Sequence, residues 1–519
     1  MKNKFLSVLL VVPFLAACPG QANIETMPDD FVPELPDFVD KNTGAVKEDE
    51  TYAYFDFYEI SDFHGAVNYN QERKELGLAR LSTYYDKKRE ANPGGTFLLS
   101  GGDMWQGSAD SNLTRGTMVT YAMNVMDFDS MNLGNHEFDW TIKWIRNNKE
   151  RATFPLLAAN LIESETGKLA DFVQKSTVIE RGTGENKYKV GIVGTIGDNI
   201  KNTIIASALK GYEFANEIST VKKEASRLRN EEGCDIVVWT SHNDAELLKR
   251  RVTQDDPGVD LVFGGHSHTS YNEKLNEIPF LKSKANSHSL PHAQLKLNKQ
   301  TKEVSYVTSD VDEDPTSKSY DEDQNILKFK KQYDQRFIDP VKNQYVGKTN
   351  DDLLIRDTLS NFAVYSMKEE LKRLDDFKSY DVRCAFHNIN GGVRKDIAKG
   401  DITFGTVYES FPFDNEIVIV KVSGKTLWTS FYNNKNNTAI WHNFSNAATE
   451  IDDNKEYYLI TTDFLLTNKD YYGTLFDRDE ILETVYTNVA VRDAVTNQVK
   501  ISSPIDAAKF KSTVKEFKR

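Results

Sequence analysis

The sequence predicts an α/β protein of two domains, and three observations carry that prediction. Its 519 residues exceed what one ordinary hydrophobic core organises. Short apolar runs rich in β-formers alternate with longer stretches of helical spacing, and the runs end in clusters of Gly, Asp, His and Asn. The acidic, polar run Asp312 to Gln324 leads into helix-like spacing from Ile326 to Phe337, which marks a linker and connecting helix over 312–342. Domains are therefore expected over 51–311 and 343–519, with no internal repeat.

The strand endings place the chemistry. Thr96-Phe97-Leu98-Leu99 runs into Ser100-Gly101-Gly102-Asp103, Ile236-Val237-Val238-Trp239 into Thr240-Ser241-His242, and Leu261-Val262-Phe263 into Gly264-Gly265-His266. In α/β domains, loops at the carboxyl ends of strands are where ligands collect. Hydrophobic residues at 39% and charged residues at 27% describe a globular chain rather than a disordered one. The net charge of −14 leaves no basic excess for binding long nucleic acid by counterion release. A single small phosphorylated ligand stays possible, because bound metal ions reverse the local sign of the field.

Lys2 and Lys4 precede an apolar run from Phe5 to Ala17 that is too short to span a bilayer, so residues 1–17 read as an export signal. The run ends in Leu15-Ala16-Ala17-Cys18, which resembles the bacterial lipobox and implies an exported protein anchored to the cell envelope by a lipidated Cys18. Residues 18–50, rich in Pro, Asp, Glu, Asn and Gly without apolar period, are expected to form a solvated tether with no fold of their own. Cys234 and Cys384 fall in different domains, so both are expected to be buried thiols rather than a disulfide.

Five of the nine histidines, His64, His136, His242, His266 and His268, sit in short segments that mostly hold Asp or Asn as well. The segments are Asp62-Phe63-His64, Gly101-Gly102-Asp103, Gly134-Asn135-His136-Glu137, Ser241-His242-Asn243-Asp244 and Gly264-Gly265-His266-Ser267-His268. Imidazole with carboxylate suits first-row divalent metals, and glycines let backbone turn sharply after a strand. In this order the segments resemble the signature of the calcineurin-like metallophosphoesterases. The resemblance implies a four-layer α/β/β/α sandwich holding two divalent ions, with Zn, Mn, Co and Fe all compatible with the donors. It implies one ion on Asp62, His64, Asp103 and His268 and the other on Asp103, Asn135, His242 and His266, so that Asp103 bridges. It also implies a catalytic pair, His136 oriented by Asp139, with Asn160 behind the ligands.

The second half resembles the 5′-nucleotidase C-terminal domain, an α/β nucleotide-binding domain, through Asn388-Ile389-Asn390-Gly391-Gly392-Val393-Arg394, Gly400-Asp401-Ile402-Thr403 and Phe411-Pro412-Phe413-Asp414-Asn415. That resemblance implies a base stacked between Phe413 and Phe464, ribose hydroxyls on Asp470, a base or ribose contact from Asn390, and phosphate contacts from Arg394 and Arg356. Three positions depart from the family pattern: Asn468-Lys469-Asp470-Tyr471-Tyr472 loses three glycines, the stretch after Arg356 is shortened, and Tyr365 replaces an Asp. The expected function is extracytoplasmic removal of phosphate from nucleoside 5′-monophosphates, with UDP-sugars and cyclic nucleotides as further substrates and no protein partner. A surface nucleotide-binding protein or adhesin, and a thiosulfohydrolase-like enzyme, are the alternatives.

Overall fold

A computed structural model describes residues 27–511 apart from 185, 205–207, 253–255, 390, 435–437, 445–449 and 468–479. The expected signal at 1–17, Cys18, Asn390 and Asp470 lie outside the described residues.

Two sheets stack in the N-terminal domain. The first runs Val304–Asp312, Leu290–Asn298, Tyr52–Ile60, Thr96–Ser100, Ser130–Asn132, Leu156–Leu157, and its last four strands are parallel. The second runs Tyr271–Leu275, Ile278–Lys282, Leu261–Gly264, Ile236–His242, Asn186–Ile196, Ser176–Thr183, with its four central strands parallel. Alternation along each strand sorts the layers. Phe55, Phe57 and Phe97 meet Ile192, Ile236 and Val238 between the sheets. Tyr58, Ile60 and Leu98 face outward, with Leu81, Tyr85 and Met123 from the helices Gly77–Arg89 and Thr117–Met126 in the same cluster. Val237 and Trp239 face the opposite way, onto Glu217–Asn230 and Ala245–Val252. The result is the four-layer α/β/β/α sandwich expected.

The C-terminal domain is a mixed five-stranded sheet in the order Thr438–His442, Val382–Asn388, Glu456–Thr462, Glu416–Ser423, Ile481–Ala490. Ser360–Arg373 and Val491–Ser502 contribute to the core on one face, and Gly424–Asn434 to the core on the other.

Two expectations about connecting segments change. The tether expected over 18–50 is packed chain from residue 27 onward. Phe31 lies edge-on to Tyr333 and Phe337 at 5.2 and 4.7 Å, Lys41 pairs with Asp86 at 2.8 Å, and Val46 reaches the core between the sheets. The segment showed no apolar period because it crosses the domain as an irregular strap touching at single residues, and Lys47–Glu48 ends it as a short strand beside Tyr52–Ile60. The connecting helix Gln324–Tyr333 is part of the first domain's core, burying Ile326, Phe329 and Tyr333 against its outer helices. Cys234 and Cys384 are buried free thiols, as expected. Among the described residues no helix is long and apolar enough to cross a membrane.

Candidate metal centre and interdomain cavity

All seven proposed ligands stand at or just beyond the carboxyl ends of parallel strands, where both sheets open on the same edge. Two groups of side chains converge there. Ligand atoms of Asp62, His64 and His268 lie within 4.8 Å of one another, as do those of Asp103, His242 and His266. Asp103 Oδ2 is 3.1 Å from His242 Nε2 and 4.0 Å from His64 Nε2, so one carboxylate oxygen faces both groups. Asn135 Oδ1 lies 3.1 Å from His242 Nε2 and 3.0 Å from His266 Nδ1. His64 Nε2 and His268 Nε2 are 3.0 Å apart. This donor set, buried imidazoles and carboxylates with converging lone pairs, fits a pair of first-row divalent ions.

The backbone around these ligands is held against its preference. Asp62, His64, Asp103, His266 and His268 have φ of 53°, 48°, 53°, 71° and 56°, the left-handed region that costs a side-chain-bearing residue about 1–3 kcal/mol each. Close approach needs glycine at one point in particular: a Cβ on Gly134 would come 2.2 Å from Asp103 Oδ1. The strain is held by hydrogen bonds that also aim the rings. His64 Nδ1 is 2.9 Å from the Gln106 carbonyl, and His242 Nδ1 is 2.8 Å from the Gly101 carbonyl, which leaves each Nε2 for the centre. The carboxylate of Asp62 accepts from the His266 amide at 2.9 Å.

Glu137, fully buried, was not singled out as a site residue in the sequence. Its carboxylate accepts from the amides of Asp103, Met104 and Gly134 at 2.8, 2.9 and 2.7 Å and so ties two ligand loops together. Asn160 touches no ligand directly: its amide donates to the Ile196 carbonyl at 2.7 Å and its Oδ1 accepts from the Ile196 amide at 3.0 Å, and Ile196 is the residue in register with His242 on the next strand.

Burial holds the His64 pKa well below the ordinary histidine value, and burial also lowers His266, to about 4. Both rings are thus neutral, the form that offers a lone pair. Burial would lower His242 too, but the Asp103 carboxylate overrides it and raises the ring to about 10. Asp103 itself is held well below the carboxylate range, its burial outweighed by the surrounding imidazoles. His136 Nδ1 pairs with Asp139 Oδ2 at 2.8 Å, and this carboxylate with that of Asp103 raises the ring despite its burial.

A cavity of about 480 Å³ opens from this centre between the domains. Asp103, His136 and His268 form its near wall; Arg394, Phe413 and Phe464 form the far one. The Phe413 ring stacks on His136 at 5.6 Å and 28°, and the Arg394 guanidinium lies 5.2 Å from the centre of the same ring. Phe413 therefore touches the imidazole as well as facing the cavity. The Pro412 carbonyl before it accepts from Asn112 Nδ2 at 3.1 Å across the domain boundary, and Asp414 after it pairs with Arg115 at 3.4 Å. Arg356 does not line the cavity. It is exposed on the short π-helix Ile355–Leu359, whose Thr358 and Leu359 are buried and leave the Arg outside. Trp140 and Gln106 line the cavity without having carried any sequence signal.

Comparison with known proteins places both halves. Residues 55–270 match the model of the calcineurin-like phosphoesterases, and residues 341–448 match that of the 5′-nucleotidase C-terminal domain. The chain is 27% identical over 415 residues to an apyrase of Tabanus yao, covering 72% of each. It is 24% identical over 539 residues to protein UshA of Yersinia enterocolitica, covering 90% of this chain and 94% of that one. A crystal structure of a 5′-nucleotidase precursor from Thermus thermophilus shares the fold at a TM-score of 0.71 and 20% identity, over 87% of this chain and 97% of that one. With one match on each side of the cavity, the chain belongs to the calcineurin-like phosphoesterase hydrolases that carry a 5′-nucleotidase C-terminal domain.

Proposed function

We propose that this chain is an exported phosphohydrolase that removes phosphate from nucleoside 5′-monophosphates. One observation carries the reading: the two converging acid–imidazole groups share a single cavity with two phenylalanines and an arginine of the other domain. Bound in the two groups, a pair of divalent ions supplies Lewis acidity to the phosphoryl oxygens and to the attacking water. Asp62, His64, Asp103 and His268 hold one ion; Asp103, Asn135, His242 and His266 hold the other. His136 stands on the cavity wall with Asp139 fixing its Nδ1, so its Nε2 is the atom that meets charge on the phosphoryl group or hands a proton to the departing 5′-oxygen. Arg394 supplies a guanidinium fork for the phosphate, and Phe413 and Phe464 supply apolar faces for the base. UDP-sugars and cyclic nucleotides are further substrates of the same centre in this proposal. Asn390 and Asp470 remain proposed contacts to base and ribose. Arg356 is kept as a phosphate contact only for an arrangement of the domains other than the one described. Export and anchoring through a lipidated Cys18 complete the reading.

The test is phosphate release from AMP by the metal-stripped protein with Mn²⁺ or Co²⁺ added back. Release that depends on added metal is expected. A protein that takes up metal and binds AMP but releases no phosphate is a binding protein, and the proposal falls.

A further inference from the structure

The loop that carries His266 and His268 has a support of its own. Strand Ile278–Lys282 lies between Leu261–Gly264 and Tyr271–Leu275, so the connection from Gly264 to Tyr271 must arch over its end. Lys282 is the residue at that end, in register with Gly264 on one side and Tyr271 on the other. Its side chain is 1% exposed. The ammonium bonds to Asp244 Oδ2 at 2.5 Å and to Ser267 Oγ, and Ser267 Oγ in turn donates to Asp244 Oδ2 at 2.5 Å. Ser267 is the residue between the two histidines, and Asp244 follows His242 by two positions. Asp244 is itself fixed, because Oδ1 accepts from the Leu247 amide at 3.0 Å at the start of helix Ala245–Val252.

We propose that Lys282 is a positioning residue for the metal centre: it clamps Ser267 to Asp244 and thereby holds the arch in the form that sends His266 to one group of ligands and His268 to the other. The physical need is plain. Both histidines have left-handed backbone, at φ of 71° and 56°, and a six-residue arch holding two such residues relaxes unless something grips its middle. A buried ammonium is retained where a carboxylate and a further acceptor complete its bonds, and Lys282 has one of each. Because one clamp serves both histidines, its loss weakens both metal positions together rather than one of them.

This inference rests on the two-metal reading, and wild-type metal content measured in parallel separates the failure of one from the failure of the other. The experiment is metal titration of the full chain, followed by bound metal and by activity, for wild type, Lys282→Met, Lys282→Arg and Ser267→Ala. Lys282→Met is expected to raise the metal concentration for half-saturation about 10–100-fold at both positions, with turnover at saturating metal and KM for a minimal ester near wild type. Ser267→Ala, at an exposed residue, is expected to shift in the same direction by less, and Lys282→Arg to restore part of the loss. Should Lys282→Met not fold, the Ser267→Ala and Lys282→Arg titrations decide. Two metals bound with unchanged half-saturation in the folded variants overturn the proposal, as does a lowered melting temperature of the metal-free protein with no change in metal affinity. A wild type that binds fewer than two metals refutes the two-metal reading instead.

Discussion

The two walls of the cavity are held by different means. On the N-terminal side, five ligand candidates sit in left-handed backbone at strand ends, and the carbonyls of Gln106 and Gly101 aim the rings of His64 and His242. On the C-terminal side, Arg394 and Phe413 sit in loops and Phe464 in a short helix, and Phe413 is held from both domains: Arg492 of its own domain donates to the Phe413 carbonyl at 3.4 Å and pairs with Asp414, while across the boundary Asn112 donates to the Pro412 carbonyl, Arg115 pairs with Asp414 and His136 stacks on the ring. The first wall is preorganised within one domain. The second is completed by apposition, which sets the Phe413 ring against His136.

Four measurements break or sharpen that contrast. The largest effect belongs to Asp103, whose single oxygen faces both ligand groups. Asp103→Asn removes the negative charge between two cations, and elemental analysis with a phosphate-release assay should show less bound metal and activity near background. Two metals with full turnover would mean that the carboxylate bridges nothing.

Next comes His136→Ala, which should keep both metals and lower kcat by about 10²–10⁴-fold. Loss of metal in this variant would move His136 from the cavity wall into the ligand set.

The two phenylalanines should then separate. Stacked bases are worth about 1–3 kcal/mol each, so Phe464→Ala should raise KM for AMP roughly tenfold and leave bis-p-nitrophenyl phosphate unaffected. Phe413→Ala should do this and also slow the minimal ester, because the ring supports His136. Equal behaviour of the two variants toward the minimal ester would show that the contact with His136 has no catalytic weight.

The smallest effect is expected far from both walls. His292 bridges Asp56 and Asp310, each at 2.9 Å, on the strand Leu290–Asn298. Burial lowers its pKa, but bonds to the two carboxylates override that and leave it raised, while Asp310 is lowered by the same bond and Asp56 is lowered in spite of its burial. A raised histidine stabilises the fold fully below its unfolded value of about 6.5, and that contribution disappears as pH climbs through the folded value. The thermal midpoint of wild type should therefore fall more than that of His292→Gln as pH rises above about 6.5. Parallel profiles would show that the bridge carries no net stability.

The first wall was legible in the sequence because metal ligation admits few residue types, and strand ends limit where they stand. Residues of those types in that order resemble the calcineurin-like phosphoesterase signature, and it was from the resemblance that Asp62, His64, Asp103, Asn135, His242, His266 and His268, and the four-layer sandwich with them, could be expected. The second wall was half legible. Phe413, Phe464 and Arg394 do reach the cavity, but Arg356 does not: it stands on the exposed side of the short π-helix Ile355–Leu359, and which side of a short helix meets the cavity depends on packing that the local sequence does not carry. Glu137 and Lys282 carried no separate signal, because buried acids and lysines gain meaning only from partners far away in the chain. Residues 27–48 went unread as structure for the opposite reason: a strap that touches at single points has no period to detect.

That strap sets a length. With Cys18 lipidated as proposed, only eight residues, 19–26, separate the acyl chains from Met27, where the chain is already docked against the first domain's core. Fully extended, such a leash spans at most about 30 Å, less than a third of what a free segment reaching to residue 50 would allow. On that proposal the strap, docked through Phe31 on Tyr333 and Phe337, would keep its entry point to the catalytic body within about 30 Å of the surface that carries the lipid.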